Sequence, residues 1–147
     1  MTKRIFGIDV GEARIGLAVS DELGLLAHPL ETIQVKEGRA IHRIAGIMKR
    51  EKVTTAVVGL PRNMDGSYGP AAEKVRTFAT KLQELLPCEV IFEDERLSTV
   101  AAQRSLHAAG RNEKKSRAVV DQVAAQIILQ GYLDAQALRH GPMFGEP

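Results

Sequence analysis

The chain has 147 residues, which suits one domain with a two- or three-layer core. Its 44% hydrophobic and 26% charged residues are ordinary for a globular protein and exclude disorder, collagen-like and coiled-coil architectures. A formal charge of +2 is too small to argue for nucleic-acid binding by itself. A single cysteine, Cys88, excludes an internal disulfide and reads as a small apolar residue. No apolar run reaches the length of a membrane span, and the opening MTKRIFGIDV lacks a signal peptide's apolar core and cleavage site, so a cytoplasmic location is expected.

In chain order, residues 3 to 10 are strongly apolar with poor alternation and predict a strand. Gly11 and Glu12 offer a turn into a second strand over 14 to 20, and a third is expected near 27 to 35, so the opening is an antiparallel meander. Ile41, Ile44, Ala45, Ile47 and Met48 recur at helical spacing and predict a helix over 39 to 51, with a basic end that suits a helix C-terminus. TTAVVGL is an unbroken apolar run, as expected of a parallel strand covered on both faces. The loop PRNMDGSYGP follows, and Pro70 is placed to open a helix whose face is Val75, Phe78, Ala79, Leu82, Leu85 and Leu86. EVIFEDE predicts a fifth strand. Ser98 can cap a helix that stops at Gly110, and a last helix is expected over about 116 to 138. Strands alternating with helices imply an α/β fold with a mixed sheet, right-handed crossovers and helices on both faces. Residues 1–138 read as one domain and 139–147 as a tail.

Three acids sit where an apolar residue would serve a plain core better: Asp9 in IFGIDVG, Glu95 at the end of EVIFEDE, and Asp121 in RAVVDQVAAQI. An isolated ionised carboxylate beside a core costs several kcal/mol, roughly, unless it is paired or bound to a cation. Asp121 is the most telling of them, because Ala118, Ala124, Ala125 and Ile128 form a small apolar stripe around it at helical spacing. Strand alternation turns Asp94 away from Glu93 and Glu95, so the register decides which of these acids faces the site. Ligands of such sheets gather beyond the carboxyl ends of the strands, where Asp9, the 60 to 69 loop and Glu95 all fall. Carboxylates without clustered His or Cys favour Mg²⁺ or Mn²⁺ over Zn²⁺, and hard cations in such sites serve phosphodiester hydrolysis.

Between residues 96 and 117 the bases Arg96, Arg104, Arg111, Lys114, Lys115 and Arg117 face one acid, Glu113, and this basic stretch joins two of the three acids. Arg14, Arg62, Arg96 and Arg117 lie near the acids in sequence and could either hold phosphates bidentately or neutralise the carboxylates. Asn63 and Thr99 join them as candidate substrate-binding residues. The histidines His28, His42, His107 and His140 are scattered, with His107 in the basic helix as a candidate phosphate contact.

These residues resemble the YqgF family, also called RuvX, pre-16S rRNA nucleases of the RNase H-like superfamily. The resemblance runs through Asp9, Gly11, Arg14, Ile15, Gly16, Ala18 and Ser20, then Val58 to Pro61 with Asn63 to Gly66, then Asp94 to Thr99. It ends with Asp121, Ala124, Ala125, Ile128, Leu129, Tyr132 and Leu133. It implies an RNase H-like sheet of order 3-2-1-4-5 and a nuclease acting on structured RNA, in maturation of the 5′ end of small-subunit rRNA. Branched DNA is the alternative substrate, and a non-catalytic RNA-binding factor of ribosome assembly is the alternative role. The resemblance also implies that Asp9, Glu95 and Asp121 stand at the family's acidic positions. Ala124 stands where RuvC-type resolvases and many RNase H-like nucleases carry a fourth acid, which speaks against a Holliday-junction role. DVGEARIG also resembles the first phosphate loop of sugar kinases and actin-like ATPases, but those clamp nucleotide between two domains and this chain has room for one. A monomer and a homodimer fit the sequence equally.

Overall fold

The computed structural model describes residues 4–94 and 113–139. Five strands, β1 (Phe6–Val10), β2 (Arg14–Ser20), β3 (Ala27–Gln34), β4 (Thr55–Leu60) and β5 (Glu89–Asp94), form one mixed sheet in the order β3-β2-β1-β4-β5. β1 and β2 are antiparallel, as are β2 and β3, while β4 runs parallel to both β1 and β5. Helix α1 (Ala40–Arg50) connects β3 to β4, α2 (Pro70–Leu85) connects β4 to β5, and α3 (Glu113–Arg139) closes the chain. The expected strand order and all the helices within the described residues are present, with α3 starting three residues earlier than periodicity suggested. The helix expected over 98 to 110 and the tail from residue 140 lie outside the described residues.

The meander is set by short-range constraints. Gly11 N–H donates to the Arg14 carbonyl at 2.9 Å, and a Cβ on Gly11 would stand 2.6 Å from that same oxygen, so only glycine closes this turn. β3 is an edge strand, where Pro29 costs no ladder hydrogen bond, and the register shifts between Leu17 and Ala18 opposite it. A 3-10 turn (Val35–Glu37) ending on Gly38, whose φ is +84°, then redirects the chain into α1. Gly69 and Pro70 open α2 as the sequence suggests, with proline at a position whose N–H would have no helical partner.

The poor alternation of β1 turns out to be an alternation of size. Phe6 and Ile8, with Ile15, Leu17 and Val19 of β2, point to one face and pack with Ile44, Ile47 and Met48 of α1 and Val75, Phe78 and Leu82 of α2. The intervening residues, Gly7 and Asp9 of β1 and Gly16 and Ala18 of β2, point to the other face, which α3 covers with Ala124, Ala125, Ile128, Leu129 and Leu133. Both faces are buried, so polarity cannot alternate, and side-chain volume alternates instead. Small residues let α3 lie against the sheet. An ideal Cβ on Gly7 would fall 2.6 Å from Leu129 Cβ and 2.7 Å from the Ala125 carbonyl oxygen. The same helix grips the start of β3 through side-chain amides: Ala27 N–H donates to Gln130 Oε1 at 2.8 Å, and Gln126 Nε2 donates to the Ala27 carbonyl at 3.0 Å.

Cys88 is half-buried beside the apolar cluster of α1 and α2, and desolvation pushes its thiol pKa up, in keeping with a packing role. Among the described residues no helix is long and apolar enough to cross a membrane.

Gly7→Ala is expected to destabilise the protein by about 1–3 kcal/mol, because the new methyl meets backbone and Cβ atoms that cannot rotate away. Urea denaturation monitored by circular dichroism measures this, and an unchanged midpoint would refute the close approach of α3.

Candidate active site at the carboxyl edge of the sheet

Asp9 occupies the fourth position of β1, directly opposite Gly16 of β2 in the antiparallel register. Cross-strand partners share a face, so the Asp9 side chain rises on the face that α3 covers, as does that of Gly7 two residues earlier. From above, Asp121 of α3 descends on the same spot. An ideal Cβ on Gly16 would lie 2.0 Å from the Asp121 carbonyl oxygen and 3.1 Å from its Cβ. Gly16 therefore joins two acids 112 positions apart in the chain: one is its ladder partner and the other rests on its backbone. Asp9 is 3% exposed and Asp121 is 9% exposed.

Arg14, the first residue of β2, donates from Nε to Asp121 Oδ2 at 2.7 Å. Of the two roles open to Arg14, neutralising an acid is the one this geometry displays. The pair is part-buried, so the charge-assisted bond is screened less than a surface ion pair and fixes the Asp121 rotamer. Ala124, one turn further along α3, is 2% exposed and packs with Ala18 and Val57. At this position the chain offers the sheet a methyl group and no oxygen ligand.

The register also resolves the acid triplet in part. Glu93 pairs with Gly59, and the parallel ladder that aligns Ile8 with Val58 brings Asp9 level with Gly59 one residue on. Glu93 and Asp9 thus share a row, two strands or about 10 Å apart, with a glycine between them. Glu93 faces α3, since its Oε2 lies 3.9 Å from the position of a Cβ on Gly131. Asp94 points to the opposite face, where Arg62 Nη1 binds its Oδ2 at 3.2 Å. Arg62 is accordingly at the expected edge but serves an acid on the α1–α2 side, away from Asp121. Glu95, Arg96 and Thr99 lie outside the described residues. Arg117 belongs to α3, with its side chain outside the description.

The 61–69 loop is internally braced. Asn63 N–H donates to the Ser67 carbonyl at 2.8 Å and Asn63 Nδ2 to Ser67 Oγ at 3.0 Å, while Ser67 N–H and Oγ both donate to Asp65 Oδ1. The guanidinium of Arg62 lies 4.7 Å from the Tyr68 ring centroid and that of Arg76 4.8 Å from it. Asn63, a predicted substrate contact, is here a brace of its own loop. Tyr68 escaped the sequence reading; its only signal is a lone aromatic in a polar loop.

The acids supply oxygen ligands, with no imidazole or thiolate beside them among the described residues, which fits a hard divalent cation. Among the described residues no group of three His, Cys, Asp or Glu side chains could by itself hold a metal ion.

Comparison with known proteins agrees with this fold. Residues 3–135 match the model of the RuvX family, described as Holliday junction resolvase. The chain belongs to the RuvX family. A relative from Halalkalibacterium halodurans, named "Putative pre-16S rRNA nuclease", is 49% identical over 139 residues, covering 92% of this chain and 99% of the relative. One of the same name from Bacillus cytotoxicus is 49% identical over 136 residues, covering 90% and 99%. Among solved structures, Thermus thermophilus RuvC in complex with a Holliday junction substrate superposes with a TM-score of 0.55 at 17% identity, covering 91% of this chain and 95% of that one. The fold is thus that of RuvC, an RNase H-like fold.

A double-mutant cycle of Arg14→Ala and Asp121→Asn is expected to show a coupling energy of about 1–3 kcal/mol at pH 7, the range for a hydrogen bond between charged groups. Additive single-variant losses in urea melts would show that the two side chains are not paired in solution.

Proposed function

We propose that this RuvX-family protein is a nuclease that hydrolyses phosphodiester bonds in structured RNA and acts in the cytoplasm on the 5′ end of pre-16S rRNA. The observation that carries the reading is the convergence of Asp9 and Asp121, two nearly buried carboxylates from opposite ends of the chain, on the backbone of Gly16. Arg14 bonds Asp121 there, and burying two acids is a costly arrangement in a merely structural core.

In this reading Asp9, Glu95 and Asp121 together hold Mg²⁺ or Mn²⁺. Alternation along β5 puts Ile91 and Glu93 on the α3 face, and Glu95, outside the described residues, follows two positions on in the sequence. The cation, when bound, supplies Lewis acidity toward a phosphodiester oxygen. The chain's own part is positional. β1 and α3 hold the carboxylates rigidly, Arg14 orients Asp121 through its Nε, and the covering helix restricts water. Arg62 and Asn63 at the edge, with Arg96, Thr99 and Arg117 of the sequence, stand as backbone-gripping candidates within a working domain of residues 1–138. The names of the relatives support rRNA as substrate, and Ala124 in place of a further acid sets this centre apart from a junction resolvase.

The test is cleavage of precursor rRNA fragments and of branched DNA with Mn²⁺, Mg²⁺ or chelator. Asp9→Asn and Asp121→Asn are each expected to lower cleavage at least about 100-fold, the scale seen when one fixed electrostatic partner of a transition state is removed. Gly16→Ala retains every carboxylate yet pushes α3 away from β2, and it is expected to lose activity on the same scale. Cleavage that persists in chelator, or full activity in Asp9→Asn, would refute the metal-held site; preference for branched DNA would move the substrate assignment.

A further inference from the structure

Helix α1 carries no acid along its length, and its exposed side presents Arg39 at the N-cap, Arg43 and Arg50. At 100° per residue Arg39, Arg43, Gly46 and Arg50 fall within an arc of about 60°, so they form one straight row roughly 17 Å long. His42 and Lys49 flank it. Helix electrostatics do not account for the row, because bases at the N-terminal turn oppose the macrodipole and only those at the C-terminal turn favour it. Glu31 bonds Arg43, and Glu51 lies 3.5 Å from Arg50 and 2.8 Å from Arg4, so two acids meet a larger set of bases.

Gly46 is the second observation. It is exposed in the middle of the helix, with nothing within 4 Å of where a Cβ would stand, so packing does not require a glycine here. Glycine is among the poorest residues for a helix interior. Its effect is a hollow of about 370 Å³ lined by Arg39, His42, Arg43, Gly46, Ile47 and Arg50. The missing side chain opens the helix surface between the arginines. The row also begins at the carboxyl edge of the sheet, on the face opposite the acids: Gly38, Ala40 and His42 line the same cavity of about 610 Å³ as Val10 and Gly11, the residues that follow Asp9.

We propose that the outer face of α1, with Arg39, Arg43 and Arg50 set around the hollow at Gly46, is a second grip on the sugar–phosphate backbone of the RNA, continuing the substrate path from the end of β1. This inference rests on the reading of the protein as an enzyme of structured RNA. Guanidinium rows suit such backbones, since each donates several hydrogen bonds to phosphate oxygens while releasing condensed counterions.

Binding of a precursor rRNA fragment is measured in chelator across about 50 to 200 mM salt, so that affinity is read without cleavage. Arg39→Ala/Arg43→Ala is expected to weaken binding about tenfold and to flatten the slope of log K against log salt by about two. Thr77→Glu/Thr80→Glu on the exposed side of α2 makes the same change in charge and is expected to leave the slope within experimental error. Gly46→Glu is expected to weaken binding with the helix retained by circular dichroism, whereas Gly46→Ala raises the melting temperature. Unchanged affinity in Arg39→Ala/Arg43→Ala, or an equal loss in the α2 control, overturns the proposal. An uncleaving wild type that still shows the α1-dependent slope would sink the nuclease reading and leave this grip standing.

Discussion

The structure depends on how closely α3 approaches the sheet. At Gly7 and Gly16 there is no room for even a methyl group between helix and strand, and the Asp121 carbonyl occupies the place of a side chain on Gly16. Packing at this range is steeply repulsive, so the helix has one seat and one axial position. Because Asp9 is the ladder partner of Gly16, that seat also sets the relation between the two carboxylates. The pair of acids is a consequence of backbone contact, which is stiffer than any side-chain hydrogen bond.

The two faces of the sheet divide the labour. Phe6, Ile8, Leu17 and Val58 bury bulky side chains against α1 and α2 and supply most of the hydrophobic stabilisation. The α3 face has glycine and alanine in β1 and β2, buries less side chain there, and accommodates two acids. Stability from one face offsets the cost of the acids on the other, an arrangement expected where precise placement outranks packing.

Charge follows the same division. Arg14 pairs with Asp121 on the α3 face and Arg62 with Asp94 on the other, both at the carboxyl edge. Alternation along β5 separates Glu93 from Asp94, so neighbouring acids in the chain serve opposite sides of the sheet. Near the same edge the arginine row of α1 begins, so an acidic centre and a basic helix face lie toward one end of the sheet.

Much of this was legible in the chain. Periodicity and punctuation located the strands and helices, because those signals arise between residues a few positions apart, and acids amid apolar runs marked Asp9 and Asp121 as costly. The motif blocks carried the strand order. What the chain could not disclose are relations between distant residues: that Gly16 seats α3, that Arg14 spends its Nε on a carboxylate 107 positions away, and that Arg62 turns to Asp94. Local sequence encodes conformational preference and burial, whereas close approach and ion pairing depend on distances that exist only once the sheet and its covering helix have closed on one another.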